Sequence, residues 1–325
     1  MRIDPAIAAL PAAPAPLLGA GAAVHAWNAD PGVAPILAEL GRFADGAGVE
    51  DCPALARLLE PGTPANTFAV RAAAAAVAQM RTAALSQWPW RHFSNGVLHS
   101  VTLGGAGPAS LSLALIDGRA WAAARDPALP DLAAFQPGLL HAVVVAGAAR
   151  GRILRNRASD PARARIEAQA VSFAPGTTFT LDGEREALAL DAIDGCLLTL
   201  RLYRQPAGDA PARQYDVASG ALVHQAAGDR ADSRAELMMA LLRAMERVDA
   251  APAIAALART GAPPVRWQAL RECLALDSAT GFAALLEIAG QADDPLATPA
   301  RALVESLAAQ HPAFARAWED MLCRA

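Results

Sequence analysis

The sequence predicts an α+β protein in which an antiparallel β jelly roll, barrel or sandwich lies between two helical regions. Three observations predict it. Residues 196–204, Cys-Leu-Leu-Thr-Leu-Arg-Leu-Tyr-Arg, alternate: Leu198, Leu200 and Leu202 fall on one face, Thr199, Arg201 and Tyr203 on the other. Side chains of a strand point to opposite faces in turn, so this is a strand with one apolar and one polar face, as in a half-buried antiparallel sheet. Upstream of it, from Asn95, short runs of the same kind are separated by Gly, Pro and Asp, the pattern of a sandwich, jelly roll or barrel. On either side of that stretch the apolar spacing is helical.

In chain order, residues 1–32 are rich in Ala, Pro and Gly and read as an irregular arm. Gly19-Ala20-Gly21 lacks the preceding strand and third glycine of a dinucleotide loop. Residues 33–44, 53–60 and 66–87 read as helices, the last Ala-rich and ended by Pro89. Trp88 and Trp90 read as core payload. Val97, His99, Val101 and Leu103 then share a strand face, as do Leu111, Leu113 and Leu115, with Gly104-Gly105 and Asp117-Gly118 as turns. A Pro-rich loop is expected over 122–138. Strands follow at 139–145, 150–157, 163–173, 177–181, 185–193 and 196–204, with a closing hairpin at 215–216 and 222–225. Helical spacing returns at Ser233, where Ser233 and Glu236 fit a capping box and Leu237, Leu241, Leu242 and Met245 are the expected buried stripe. Further helices are expected near 251–259, 265–275, 279–290, 297–309 and 312–322, with Asp294-Pro295 as a helix start. A HEAT-like stack and a compact bundle both fit this series. The expected domains are an N-terminal arm and helical layer (1–91), a barrel (92–228) and a C-terminal helical domain (229–325).

Composition removes several function classes. All 28 basic residues are arginine, which excludes lysine Schiff bases, lysine-anchored pyridoxal phosphate and a P-loop lysine. A net charge of −4 offers no global attraction for nucleic acid or an anionic membrane. No run of about twenty apolar residues occurs, and the N-terminus has no basic region before an apolar run. Cys52, Cys196, Cys273 and Cys323 show no C-x-x-C spacing and read as free thiols of a cytoplasmic protein.

Thr199-Leu200-Arg201-Leu202-Tyr203, followed by Pro206, Tyr215-Asp216 and Ser219-Gly220, resembles the cupin superfamily, in particular its cysteine dioxygenase-like branch, over about residues 139–225. The branch has a Ser-Leu-His-Leu-Tyr strand followed by a proline, an aromatic-Asp pair and a Gly turn. The resemblance implies a double-stranded β-helix jelly roll and, in active members, a non-haem iron held by three histidines that binds a thiol substrate and oxygen. The family's His-x-His pair is missing here, and its third ligand falls near Glu186. The relay positions read Thr199, Arg201 and Tyr203. Arginine does not titrate near neutral pH, so it cannot copy a histidine's proton transfer; it can hold a carboxylate in a bidentate fork.

Two constellations follow. His99 and His141 interrupt apolar strand faces, and with Glu186 or His224 they are the expected metal ligands if iron is bound. Arg150, Arg152, Arg155, Arg157, Arg163 and Arg165 form a basic stretch, either an anion site or a solvated face. Asp182, Glu184 and Glu186 read as a turn. Trp267 and Arg271 read as a helix-packing anchor or a partner-binding patch. Two functions are therefore expected. One is a catalytically degenerate cupin-like module that binds a small anionic ligand, or a protein partner or sister subunit through its helices. The other is a metal-dependent oxygenase of a small thiol or carboxylate, with Arg201 clamping the substrate.

Overall fold

The alternation at 196–204 belongs to a longer strand, Glu186–Arg204, that organises the sheet. The computed structural model describes residues 15–82, 89–126, 128–206, 208, 210–226, 228, 230–311 and 314–315. The chain divides into two compact units, 1–207 with 214–223, and 208–213 with 224–325.

In the first unit, helices α1 (Ala15–Ala29), α2 (Ala34–Ala44), α3 (Pro53–Leu58) and α4 (Thr63–Thr82) precede the sheet. The expected irregular arm is therefore helical from Ala15, and Gly19-Ala20-Gly21 lies inside α1. Pro16 stands in the first turn, where a missing N–H breaks no helical bond. Trp88, and residues 83–87 of the expected third helix, lie outside the described residues.

The strands are β1 (Arg91–Ser94), β2 (Leu98–Ala106), β3 (Ala109–Asp117), β4 (Leu132–Phe135), β5 (Leu139–Asn156), β6 (Ile166–Phe173), β7 (Thr178–Asp182), β8 (Glu186–Arg204), β9 (Ala212–Asp216) and β10 (Leu222–Ala226). The main sheet is antiparallel, in the order β1-β2-β3-β8-β5-β6, with β7 also on β5. A smaller sheet runs β10-β9-β4. The residues expected to be a loop at 122–138 hold β4 and the end of α5 (Gly118–Ala124). Asp117, expected in a turn, caps α5 by accepting from the N–H groups of Arg119 and Ala120.

Two pairs of expected strands are each one long strand. Residues 139–145 and 150–157 merge into β5, and 185–193 and 196–204 into β8. The first part of β5 pairs with the last part of β8 and with β7; its second part pairs with the first part of β8 and with β6. The ladder between them shifts register at Val144/Ala146 and Gly147/Ala148, the mark of β-bulges that bend a strand. Gly147 is required at that bend: its φ is 84° and a Cβ there would lie 1.7 Å from the Cys196 carbonyl oxygen.

The largest buried cluster of this unit lies on the outer side of the bent sheet. Leu111, Val143, Leu200 and Leu202 pack there with Leu40, Phe43, Leu55 and Phe68 of the helices. Trp90 and Trp27 meet edge to face at 5.2 Å. Arg204 ties α2 down: it lies over the Phe43 ring at 4.5 Å and donates to the Phe43 and Ala47 carbonyls at 2.7 and 2.8 Å. Those carbonyls end a helix, where a cation is favoured.

The second unit is helical, with α6 (Arg230–Ala244), α7 (Ala251–Leu257), α8 (Pro263–Leu276), α9 (Ser278–Gly290) and α10 (Ala297–Gln310). Leu270, Leu285, Ile288 and Val304 form its centre, and Trp267 packs against it. Arg266 donates to Asp294 in a largely buried ion pair. Asp294 accepts from the N–H of Leu296, ahead of α10. The expected stripe on α6 is corrected: Met239 is buried, whereas Leu237, Leu241 and Met245 are exposed. Ser233 stands inside α6, not at its cap. Most of the helix expected at 312–322 lies outside the described residues. No helix among the described residues is long and apolar enough to cross a membrane.

Candidate functional site

The inner side of the bent sheet encloses a cup of about 490 Å³. Residues from both ends of β8 line it, Glu186, Leu188 and Leu190 from one and Arg201 and Tyr203 from the other. One strand reaches both walls only because it curls round the space between them. Leu140 of β5, Phe179 and Leu181 of β7, and Gln136 from the loop after β4 complete much of the lining.

Register explains why the polar groups collect on one wall. On β3, Ser110 stands opposite Tyr203, Ser112 opposite Arg201 and Ala114 opposite Thr199. On the other flank of β8, Leu140 is opposite Tyr203 and Ala142 opposite Arg201. Phe179 of β7 is opposite Ala142 in turn. A row therefore runs Ser112, Arg201, Ala142, Phe179.

Arg201 is largely buried, and burial lowers its pKa. Its Nε donates to Thr199 Oγ1 at 2.9 Å, and that hydroxyl donates to the Ala114 carbonyl at 3.3 Å. This chain fixes the guanidinium through Nε and leaves the two Nη groups without a partner among the described residues. No carboxylate among the described residues pairs with it; the nearest in kind, Glu186, accepts from Arg155 Nε at 2.7 Å and from the Asp182 N–H. The Nη edge is the fork that a carboxylate takes with two parallel bonds.

Tyr203 holds the rim. Its hydroxyl donates to the Pro137 carbonyl at 2.7 Å, and burial raises its pKa. Gly138, with φ of 140°, lets the rim approach: a Cβ there would fall 2.3 Å from the phenol oxygen. The Gly183 N–H bonds the Gly138 carbonyl at 2.8 Å from the other side. A phenol already donating to a backbone carbonyl is a positioning group rather than a proton relay. Thr199 has the same character, since it orients Arg201.

The expected metal ligands are not brought together. His99 lies on the outer face, in the cleft under α4, and hydrogen-bonds Ser94 Oγ at 2.9 Å. His141 also points outward: Nδ1 bonds Thr180 Oγ1 at 3.0 Å, the ring meets Phe43 edge to face at 6.0 Å, and Nε2 is buried without a partner. Glu186 alone of the four faces the cup. His224 is exposed on β10 and belongs to the second unit. None of the six histidines lines the cup, and no group of three or more His, Cys, Asp or Glu among the described residues could hold a metal ion. The donor set does not fit a histidine-bound iron.

Three of the six arginines of the basic stretch are paired with carboxylates. Arg152 binds Asp191 and Asp131, Arg155 binds Glu186 and Gln169, and Arg157 binds Glu167. The Asp182–Glu186 segment is a turn from β7 into β8, with Asp182 accepting from the Glu184 N–H. Ser100, Ser110, Ser112 and Gln136 are cup residues that the sequence reading passed over. The signal was the other phase of β3, where serines alternate with Leu111 and Leu113.

No family model matches the chain, and no curated protein matches it in sequence. Solved structures similar to part of it include ectoine synthase from P. lautus, at 15% identity over 35% of this chain and 69% of that one, TM-score 0.24. A sugar phosphate isomerase of the cupin superfamily from Silicibacter pomeroyi is 11% identical over 39% and 76%, TM-score 0.23. HutD from Pseudomonas fluorescens SBW25 is 14% identical over 38% and 59%, TM-score 0.24. The isomerase is named as a member of the cupin superfamily, and the cysteine dioxygenase-like branch finds no support among these neighbours. At these TM-scores, strand order and register carry the fold assignment.

Proposed function

We propose that the protein binds a small anionic molecule in its cup, with Arg201 as the anion's partner, as a cupin-like module without the histidine iron centre of the active family. One observation carries this reading: a largely buried guanidinium, oriented by Thr199, presents two Nη groups with no partner among the described residues to a cavity whose one carboxylate, Glu186, is already held by Arg155. Burying a charge without a partner is costly. A site that keeps one facing open space is built for a partner that arrives from solution. The alternative, a non-haem oxygenase using His99, His141 and Glu186 or His224, loses support because two of those side chains face the helices. The apolar face of α6 names no occupant of its own, so the reading rests on the cup.

Thermal unfolding with a panel of sodium carboxylates at constant ionic strength tests it. A carboxylate that binds only the folded chain stabilises it by about 2.7 kcal/mol at a hundred times its Kd. Wild type is expected to show this saturable gain and Arg201→Met to lose it. Equal gains in both, or none in either, overturn the reading. Iron that binds stoichiometrically and is lost in His99→Ala/His141→Ala would overturn the metal-free part.

A further inference from the structure

The cup's lining carries more chemistry than one anion needs. Arg201 is its one cation and Glu186 its one carboxylate, already held by Arg155. A single guanidinium balances a single negative charge. A phosphate dianion would bring a second charge toward Glu186 with nothing to meet it. The planar Nη edge also matches a carboxylate.

Beside Arg201 stand three serines on the same wall. Ser112 and Ser110 of β3 lie directly across from Arg201 and Tyr203, and Ser100 of β2 lies directly across from Ala114 of β3, one strand further out. Side chains so paired start about 5 Å apart. None of the three hydroxyls is hydrogen-bonded to another group among the described residues. Across the space, Phe179 and Leu188 present only carbon. One wall is thus a charged pole with a ladder of hydroxyls, and the other is largely apolar apart from Glu186, which Arg155 holds.

We infer that the anion is a polyhydroxy monocarboxylate, a carbon chain with one carboxylate on Arg201, hydroxyls against Ser100, Ser110 and Ser112, and its C–H edge against Phe179. This rests on the anion reading above and goes beyond it, since a cup of that volume would also take an unsubstituted fatty acid.

Calorimetric titration with four probes separates the two claims: D-gluconate, hexanoate, sorbitol and sorbitol 6-phosphate. Gluconate is expected to bind wild type about tenfold or more tighter than hexanoate, since its hydroxyls add hydrogen bonds that hexanoate cannot make. Sorbitol and its phosphate are expected to bind more weakly still. Ser110→Ala/Ser112→Ala should erase the preference for gluconate and leave hexanoate unchanged; Ser112→Ala alone, expected to halve the preference or more, serves if the double variant does not fold. Arg201→Met should abolish both carboxylates. If hexanoate binds as tightly as gluconate and still needs Arg201, or if sorbitol 6-phosphate binds best, the ligand class is wrong and the anion site stands. If no probe depends on Arg201, both fall.

Discussion

On β8, Leu198, Leu200 and Leu202 lie against the helical layer, while Thr199, Arg201 and Tyr203, one residue out of phase, turn into or under the cup. In a sandwich the two inner faces meet and make the core. Here much of that space is open and one of its walls is polar. The apolar contact has moved to the outer face, where α2 and α4 cover it. The N-terminal helices are therefore what lets the interior of the sheet carry serines and an unpaired arginine. Buried apolar packing lies on one side of the strand, and the polar groups on which the proposed recognition rests lie on the other.

The sharpest way to break that comparison is to cut both faces of the same strand pair. Leu200→Ala removes a fully buried side chain from the outer face and is expected to cost about 2–5 kcal/mol. Ser112→Ala, on the inner face of the neighbouring strand, is expected to stay within about 0.5 kcal/mol. Denaturant melts of the two variants check this, and similar losses would mean that the inner face is structural after all. Arg201→Met goes the other way. It replaces a desolvated, unpaired charge with an apolar chain of similar length, and without ligand it should stabilise by about 0.5–2 kcal/mol. A less stable Arg201→Met protein would show that the guanidinium, beyond its bond to Thr199, has a charge partner inside the fold.

The alternation made the faces of β3 and β8 readable, and with them the inward direction of Arg201 and Tyr203. Register was not readable. Nothing in Ala-Ser-Leu-Ser-Leu says that Ser112 will stand beside Arg201, because pairing between strands far apart in sequence is a tertiary choice. Gly147 and the Asp194-Gly195 pair read as breaks between strands, whereas they are places where a strand bends and continues. β4, Leu-Ala-Ala-Phe, has no alternation to find; it is held by Phe135 packing edge to face on Tyr215 at 5.8 Å. On α6 both faces are apolar, so helical spacing could not choose between Met239 and the exposed Leu237 and Leu241. His99 and His141 interrupt apolar faces, as a ligand would. A histidine wedged under a helix leaves the same trace in a sequence.

That wedge gives the smallest of the expected effects and probes the outer face directly. Burial lowers the pKa of His141 below the ordinary 6.5; the Arg204 charge adds to the shift and Glu50 opposes it. The unfolded chain then binds the proton more readily than the folded one, so stability rises with pH through this group. Its contribution is complete above pH 6.5 and is lost as the pH falls through the lower folded value. Protonation would also set a second cation near Arg204, which anchors α2 to the sheet. Melting temperatures of wild type and His141→Leu at pH 7.5 and 5.5 are expected to differ in slope, with the wild type losing more on acidification. Parallel slopes would place the imidazole in solvent, and with it the seam between helix and sheet that keeps the interior of the cup free for a ligand.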